Sequence, residues 1–289
     1  MRLSTSSGGS SLGGRVSREA VLGSRDGVIE GTMRIPKEVY DLKNVHVDQL
    51  RPYLVPPKKT VRPARCEKIV FLCFTNRSGS NYLAELLGST GQINVGGEFL
   101  NFNTALTHIG KNGLSSVYDY FIGLIDKQNV KGNFSCKVAI TQIVLLQQAG
   151  LLDELLPYSR FVMSERTDLL GQAISLEIAS RTGKWTSYMQ PTGSVSEADF
   201  DRNRLEMIIR HIAYEQQLFR LFFAINGLEH FQVNYEQLTS HTANVMGMMC
   251  DWLEIETLPD CLERTVTERQ SDALNNAWRR KFLGVAVNS

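Results

Sequence analysis

Residues 76–80 (NRSGS) combine small, hydroxyl-bearing and basic side chains in an order that suits anion binding. They follow a short apolar run, Ile69–Leu72, that predicts a buried strand, and they precede leucines at helical spacing in residues 81–87. A loop between a strand and a helix directs backbone N–H groups and the positive end of the helix dipole toward one point. We therefore predict a phosphate site formed by Arg77, Ser78, Gly79 and Ser80. The alternative is a plain strand-to-helix connection.

A second basic residue follows another predicted strand. Residues 160–163 (RFVM) lead to Arg166, and Ser175 lies nine positions further on, in a helix predicted from Asp168 to Arg181. Positive charge is unfavourable at a helix N-terminus unless an anion is bound there, so Arg166 and Ser175 predict a second phosphate site. The alternatives are a surface salt bridge for Arg166 and an ordinary helical serine. Two phosphate sites suggest a donor nucleotide that is phosphorylated at two places.

The motifs of a metal-dependent nucleotide hydrolase are absent from these two segments. The loop lacks the Gly-Lys-Ser/Thr ending of a Walker nucleotide loop. The RFVM strand ends in Ser-Glu-Arg, without the single aspartate that helps to hold magnesium. We therefore expect no metal site, and a P-loop kinase is disfavoured.

Glu98 is the candidate general base. Two glycines precede it, which suggests a carboxylate presented from a tight loop near the strand ends, and residues 92–95 before them predict a short second strand. Alternatively, Glu98 is an exposed loop acid or the partner of a lysine. Lys137 is predicted either to neutralise charge at the site or to extend to the surface, and His108 is a reserve general base.

The predicted elements alternate between strand and helix along the chain. Further strands are expected at residues 134–140 and 230–233, and a mostly apolar helix is expected at 142–156. This alternation predicts an α/β fold: a three-layer, P-loop-like domain with a mainly parallel central sheet flanked by helices. We place this domain at residues 66–289, after a flexible Ser/Gly-rich leader and Pro-rich arm at 1–65, and we predict a mobile polar flap at 183–199.

Composition restricts the class of partner. The chain has 31 Lys and Arg against 30 Asp and Glu, which provides no broad attraction to nucleic acid. Five widely spread cysteines fit neither a disulfide framework nor a zinc site. No apolar run is long enough for a membrane span. We expect a cytoplasmic protein, with an organelle transit peptide as the alternative for the leader.

Several of these motifs occur together, in order, in one known family. The segments TNRSGSNYLAELL, GGEFLN, SERTDLLGQAIS, NYEQL and RQSDALNNAWRR, with Trp185 between the third and fourth, resemble the bacterial-type trehalose 2-sulfotransferase family, the Stf0 group. The resemblance covers about residues 66–282. It implies sulfuryl transfer from 3′-phosphoadenosine-5′-phosphosulfate (PAPS) to a hydroxyl of a carbohydrate, glycolipid or other small acceptor, without a metal.

The resemblance also implies roles for individual residues. Arg77–Asn81 would hold the 5′-phosphosulfate of the donor, Arg166 with Ser175 the 3′-phosphate, and Glu98 would be the general base. The positions expected near the nucleotide also include Tyr235 and the segment Arg269–Ser271. In the alternative interpretation, the chain is a non-catalytic nucleotide-binding protein that regulates or binds a partner. Related enzymes dimerise in some cases, so a homodimer is one alternative for the oligomeric state.

Overall fold

The structure, a computed structural model, describes residues 32–55, 57, 60, 63–186, 189–256 and 273–285. Within these residues, four strands form one parallel sheet in the order β2-β1-β3-β4. The strands are β1 (Lys68–Phe74), β2 (Asn133–Val138), β3 (Ser159–Glu165) and β4 (His230–Asn234). All four match predicted strands, and the predicted parallel sheet is confirmed.

Helices cover both faces of the sheet. The helices are α1 (Lys37–Tyr40), α2 (Val45–Leu50), α3 (Ser80–Ser89), α4 (Phe102–Asn112), α5 (Val117–Gln128), α6 (Ile140–Gln148), α7 (Leu152–Leu155), α8 (Leu169–Thr182), α9 (Arg202–Ile225), α10 (Tyr235–Ser240), α11 (Thr242–Leu253) and α12 (Ala273–Leu283). No helix of the described segments is long and apolar enough to cross a membrane.

Alternate residues of β1 point into two different cores, as the two-residue period of a strand requires. Phe71 and Cys73 pack in the core that contains α5, α6 and the end of α9. Val70 and Leu72 pack in the core that contains α3 and α11. The predicted three-layer architecture is therefore confirmed, with the central sheet buried between helices.

Two predicted elements differ in the structure. Residues 92–95 form no strand, because the Asn94 side chain accepts a hydrogen bond from the Ser135 N–H and donates one to its carbonyl, in place of a backbone ladder. The helix predicted at 142–156 is two helices, α6 and α7. The break falls at Gly150, whose φ of 75° lies outside the helical region.

Residues 32–55, which the sequence analysis places in the arm, contain α1 and α2. Their apolar side chains Met33, Val39, Val47 and Leu50 are buried in the same core as Phe71. The segment therefore contributes to the core of the structure, although the prediction placed it outside the domain. The predicted leader at 1–31 lies outside the described residues, and the boundary at residue 65 stays a prediction.

Leu50→Ala should measure how much the arm stabilises the fold. Leu50 is fully buried, so its truncation should lower the free energy of unfolding by about 2–5 kcal/mol in urea titrations. Val45→Ala, on the exposed side of the same helix, is the matched control and should change that free energy by less than about 0.5 kcal/mol. Equal, small effects of both substitutions would show that the arm packs only loosely.

Candidate active site

The loop between β1 and α3 has the conformation of an anion cradle. Arg77 and Gly79 both lie in the left-handed region, with φ of 66° and 90°. Gly79 is the N-cap of α3 and has no capping side chain, and the first N–H groups of a helix have no partner within it. The Ser78 hydroxyl is buried and has no hydrogen-bond partner within the described residues. These donors are therefore suited to a negatively charged ligand.

Three neighbouring elements hold this loop in place. From α8, Gln172 Nε2 donates to Thr75 Oγ1 at 2.9 Å and to the Asn76 carbonyl at 2.8 Å. From β3, Ser164 Oγ donates to the Ser78 carbonyl at 3.3 Å. The ring of Tyr235, just after β4, lies so close to Gly79 that any Cβ there would collide with it. Gln172 was not predicted from the sequence. The one pattern that points to it is its position one turn before Ser175 on the same helix.

The Arg77 side chain connects the loop to α8 and the flap. Its Nε donates to Ser175 Oγ at 2.9 Å, and one terminal nitrogen donates to the Trp185 carbonyl. Burial lowers the pKa of the Arg77 guanidinium, and the nearby positive charge of Arg166 lowers it further, whereas Tyr235 acts in the opposite direction. Because two guanidinium groups lie near each other, an anion between them would relieve their repulsion.

Arg166 lies beside the same loop. Its side chain is 17 % exposed, its Nη1 donates to the Arg77 carbonyl at 3.4 Å, and its guanidinium lies 4.8 Å from the centre of the Tyr235 ring. Its Nε has no hydrogen-bond partner among the described residues, although Glu236 Oε1 lies 3.7 Å away. The structure therefore brings Arg77, Arg166 and Tyr235 together, and Ser175 bonds to Arg77 there.

Carboxylates border this basic cluster on one side. The Asp168 side chain caps α8 by accepting from Gly171 N–H at 2.9 Å, and it also pairs with Arg279 of α12. Burial raises the pKa of Asp168, but the Gly171 N–H, Arg279 and Arg166 together outweigh this effect and lower it. Asp168 therefore orients the start of α8 and partly balances the charge of Arg166.

Glu98 lies at the ends of β1 and β2, paired with Lys137. Lys137 is only 4 % exposed, and its Nζ donates to Glu98 Oε1 at 2.9 Å and to the Asn81 side chain. The Lys137 N–H also donates to the Gly97 carbonyl at 2.9 Å, which fixes the backbone before Glu98. The Glu98 side chain is 41 % exposed. Lys137 thus lies inside the site, and the predicted extension to the surface is wrong.

Two predicted positions remain, His108 on α4 and the segment Arg269–Ser271. The ring of His108, the reserve base, packs against Tyr120 with 5.8 Å between ring centres. Arg269 and the rest of the Arg269–Ser271 segment lie outside the described residues. The candidate site therefore consists of a loop suited to an anion and two arginines, joined through Asn81 to a carboxylate–ammonium pair. Such an arrangement can hold an anionic donor and accept a proton from a nearby hydroxyl.

Known proteins share sequence with this chain. Residues 144–283 match the family model described as Stf0 sulphotransferase. A curated relative, trehalose 2-sulfotransferase of Mycobacterium tuberculosis (strain ATCC 35801 / TMC 107 / Erdman), is 23 % identical over 251 residues, which cover 73 % of this chain and 93 % of the relative.

Distant likenesses to solved structures also exist. The sulfotransferase domain from the curacin biosynthetic pathway has a TM-score of 0.45 and 15 % identity, with 74 % of this chain and 83 % of that chain covered. The sulfotransferase domain from the Synechococcus PCC 7002 olefin synthase has a TM-score of 0.46 and 14 % identity, with 80 % and 94 % covered.

The family-model match and the curated relative agree with the motifs in the sequence. Both findings support the Stf0-type sulfotransferase family and a sulfotransferase activity for this chain.

Proposed function

We propose that the chain transfers a sulfuryl group from PAPS to a hydroxyl of a carbohydrate, glycolipid or other small acceptor. The observation that carries this proposal is the anion-binding loop with its buried, unpartnered Ser78 hydroxyl, lying beside the Glu98–Lys137 pair. The first feature suits the donor and the second suits the acceptor.

The donor side has groups for both ends of a bis-phosphorylated adenosine. In our proposal, the 5′-phosphosulfate lies in the loop, where Arg77, Ser78, Gly79, Ser80 and Asn81 provide backbone and side-chain donors. The 3′-phosphate lies beside Arg166 and Ser175, and Tyr235 borders the nucleotide. Arg269 is assigned to the same nucleotide by resemblance alone. The unbonded Nε of Arg166 supports this assignment, because a phosphate oxygen would satisfy it.

The proposed reaction is an in-line displacement at sulfur. The acceptor oxygen forms a bond to sulfur while the bond between sulfur and the 5′-phosphate oxygen breaks, and that phosphate leaves with the electron pair. The acceptor proton moves to the Glu98 carboxylate. Negative charge grows on the departing oxygen, where Arg77 and the loop N–H groups stabilise it. Lys137 bonds Glu98 Oε1 and thereby orients the carboxylate.

A sugar hydroxyl is the acceptor that we favour. The curated relative is named trehalose 2-sulfotransferase, and this name supports a carbohydrate. In the flap that follows α8, the indole of Trp185 is 41 % exposed, and its backbone carbonyl bonds Arg77. An exposed indole beside the donor loop could stack on a sugar ring.

The direct test uses donor labelled in its sulfate group. The protein would be incubated with this donor and a panel of sugars and glycolipids in the presence of a metal chelator. We expect label on at least one carbohydrate. Tight binding of adenosine 3′,5′-bisphosphate without transfer to the panel or to a cell lysate would instead support the non-catalytic alternative. Preference for ATP over the bisphosphate would contradict the proposed donor.

Glu98→Gln tests the general base. The amide cannot take the acceptor proton, so kcat should fall by roughly a hundredfold or more, while the affinity for adenosine 3′,5′-bisphosphate stays within about twofold. The exposed Glu229→Gln is the control and should leave both quantities unchanged. Wild-type turnover in Glu98→Gln would remove Glu98 from this role.

Arg166→Ala tests the 3′-phosphate site. Losing a charge-assisted bond of about 1.5–3 kcal/mol should weaken bisphosphate binding by roughly tenfold to a hundredfold in calorimetry. Affinity for adenosine 5′-monophosphate, which lacks the 3′-phosphate, should change much less. Arg210→Ala, an exposed arginine of α9, is the control. A similar loss for both nucleotides would place Arg166 away from the 3′-phosphate.

Gly79→Ala tests the loop conformation. A Cβ at a φ of 90° is strained and collides with the Tyr235 ring, so the loop should shift and bisphosphate affinity should fall more than about tenfold. Gly110→Ala is the control, because a Cβ at Gly110 meets open space. Unchanged affinity in Gly79→Ala would show that the donor does not need this loop conformation.

A further inference from the structure

We infer that His46, on α2 of the arm, is a positioning residue for Glu98. Its ring holds the start of α4, four residues beyond Glu98, and so fixes the loop that presents the carboxylate to the acceptor. This inference rests on the proposed role of Glu98. It gives the arm, which precedes the predicted domain, a part in catalysis.

The contact between His46 and α4 is specific. The Phe102 N–H donates to His46 Nδ1 at 3.2 Å, and the two rings lie 5.8 Å apart. Phe102 is the first residue of α4, so its N–H has no acceptor within the helix. The capping side chain, Asn101, accepts from Asn103 instead. His46, which lies on α2, therefore supplies the hydrogen-bond acceptor that the Phe102 N–H lacks within α4.

The segment from Gly97 to Phe102 is held at three points. At its start, the Gly97 carbonyl accepts from the Lys137 N–H of β2. In its middle, Tyr120 OH donates to the Phe99 carbonyl at 2.9 Å. At its end is the bond to His46. Loss of the last point would leave the segment held at Gly97 and Phe99 but free at the start of α4.

The arm is itself well anchored near the site. Asn44 Nδ2 donates to the Thr141 carbonyl at 2.7 Å, and Asn44 Oδ1 accepts from Val47 N–H at 3.1 Å and caps α2. Thr141 lies in the first turn of α6, four residues after Lys137. The start of α2 is thus bonded both to the helix that follows Glu98 and to the helix that follows Lys137.

The bond to Phe102 requires His46 to be neutral, because Nδ1 must carry a lone pair. Burial lowers the pKa of His46 from its ordinary value of 6.5, and the nearby Glu98 carboxylate raises it by less. The lowered pKa means that the arm contact is fully present above pH 6.5 and is lost as the pH falls through the pKa of the folded protein.

Few other charged groups of the described residues lie on the elements around the His46 ring. On α2 itself, Asp48 is paired with Arg51, and α6 carries no charged residue. On α4, the titratable groups are His108 and Lys111, both at least one turn beyond Phe102. Among the residues that the structure describes, Glu98 is therefore the charged group that acts on His46.

Three substitutions separate a positioning role from direct contact with the acceptor. His46→Asn places an amide oxygen where Nδ1 was, His46→Gln places its amide nearer to Nε2, and His46→Ala removes both. We expect kcat to fall by roughly tenfold to a hundredfold in His46→Ala and His46→Gln but to stay within about threefold of the wild type in His46→Asn. The affinity for adenosine 3′,5′-bisphosphate should be unchanged in all three variants. In the wild type, kcat should fall as the pH drops through the lowered pKa of His46, and the Asn variant should lack this part of the acid decline. Rescue by Gln and not by Asn would overturn the inference.

Hydrogen exchange tests the same contact without any activity. Amide exchange over residues 98–106 should be faster in His46→Ala than in the wild type and should be restored in His46→Asn, with Val45→Ala as the control. If the wild type transfers no sulfate, the proposed function fails, while this exchange pattern still decides the arm contact. Equal exchange in the wild type and in both His46 variants would contradict the inference. If His46→Ala does not fold, His46→Asn is compared with His46→Gln instead.

Discussion

The backbone between β1 and α3 adopts a conformation that an isolated chain would avoid. A non-glycine residue in the left-handed region costs of order 1–3 kcal/mol, and Arg77 is such a residue. The compensating bonds come from Gln172 and Ser164, and the Tyr235 ring packs on Gly79. Because these residues belong to α8, β3 and the segment after β4, the loop conformation depends on the placement of β3 and β4 beside β1. The strained backbone at Arg77 thus lies where the hydrogen-bond donors of the loop and of the first turn of α3 converge.

The second constraint is electrostatic. Arg77 and Arg166 lie close together and partly buried, and Asp168 and Glu236 lie 3.9 Å and 3.7 Å from Arg166 nitrogens and offset part of its charge. On the other side of the loop, Lys137 is almost fully buried between Asn81 and Glu98. A buried ammonium is stable only when it is paired and hydrogen-bonded, so Lys137 ties the carboxylate to the first turn of α3. The donor loop and the candidate base are therefore parts of one hydrogen-bonded unit.

Local patterns in the sequence were enough to predict the strands β1, β2, β3 and β4 and the loop at 76–80. These features depend on residues that are neighbours in the chain. The prediction failed where a distant side chain decides the outcome, as when Asn94 bonds to Ser135 and replaces the expected strand. Gln172 and the burial of Lys137 could not be found for the same reason, since their partners lie far away in sequence. Residues 32–55 contain scattered apolar residues without a clear period, and only the structure shows them packed in the core.

The proposed donor site, lined by the loop after β1 and by Arg166, is one for a bis-phosphorylated adenosine. A crystal structure of the protein with adenosine 3′,5′-bisphosphate tests it most directly. We expect the 5′-phosphate against Ser78 and the first N–H groups of α3, with the 3′-phosphate on Arg166 and Ser175. A nucleotide bound elsewhere, with Ser78 and the Arg166 Nε still without a partner, would contradict it.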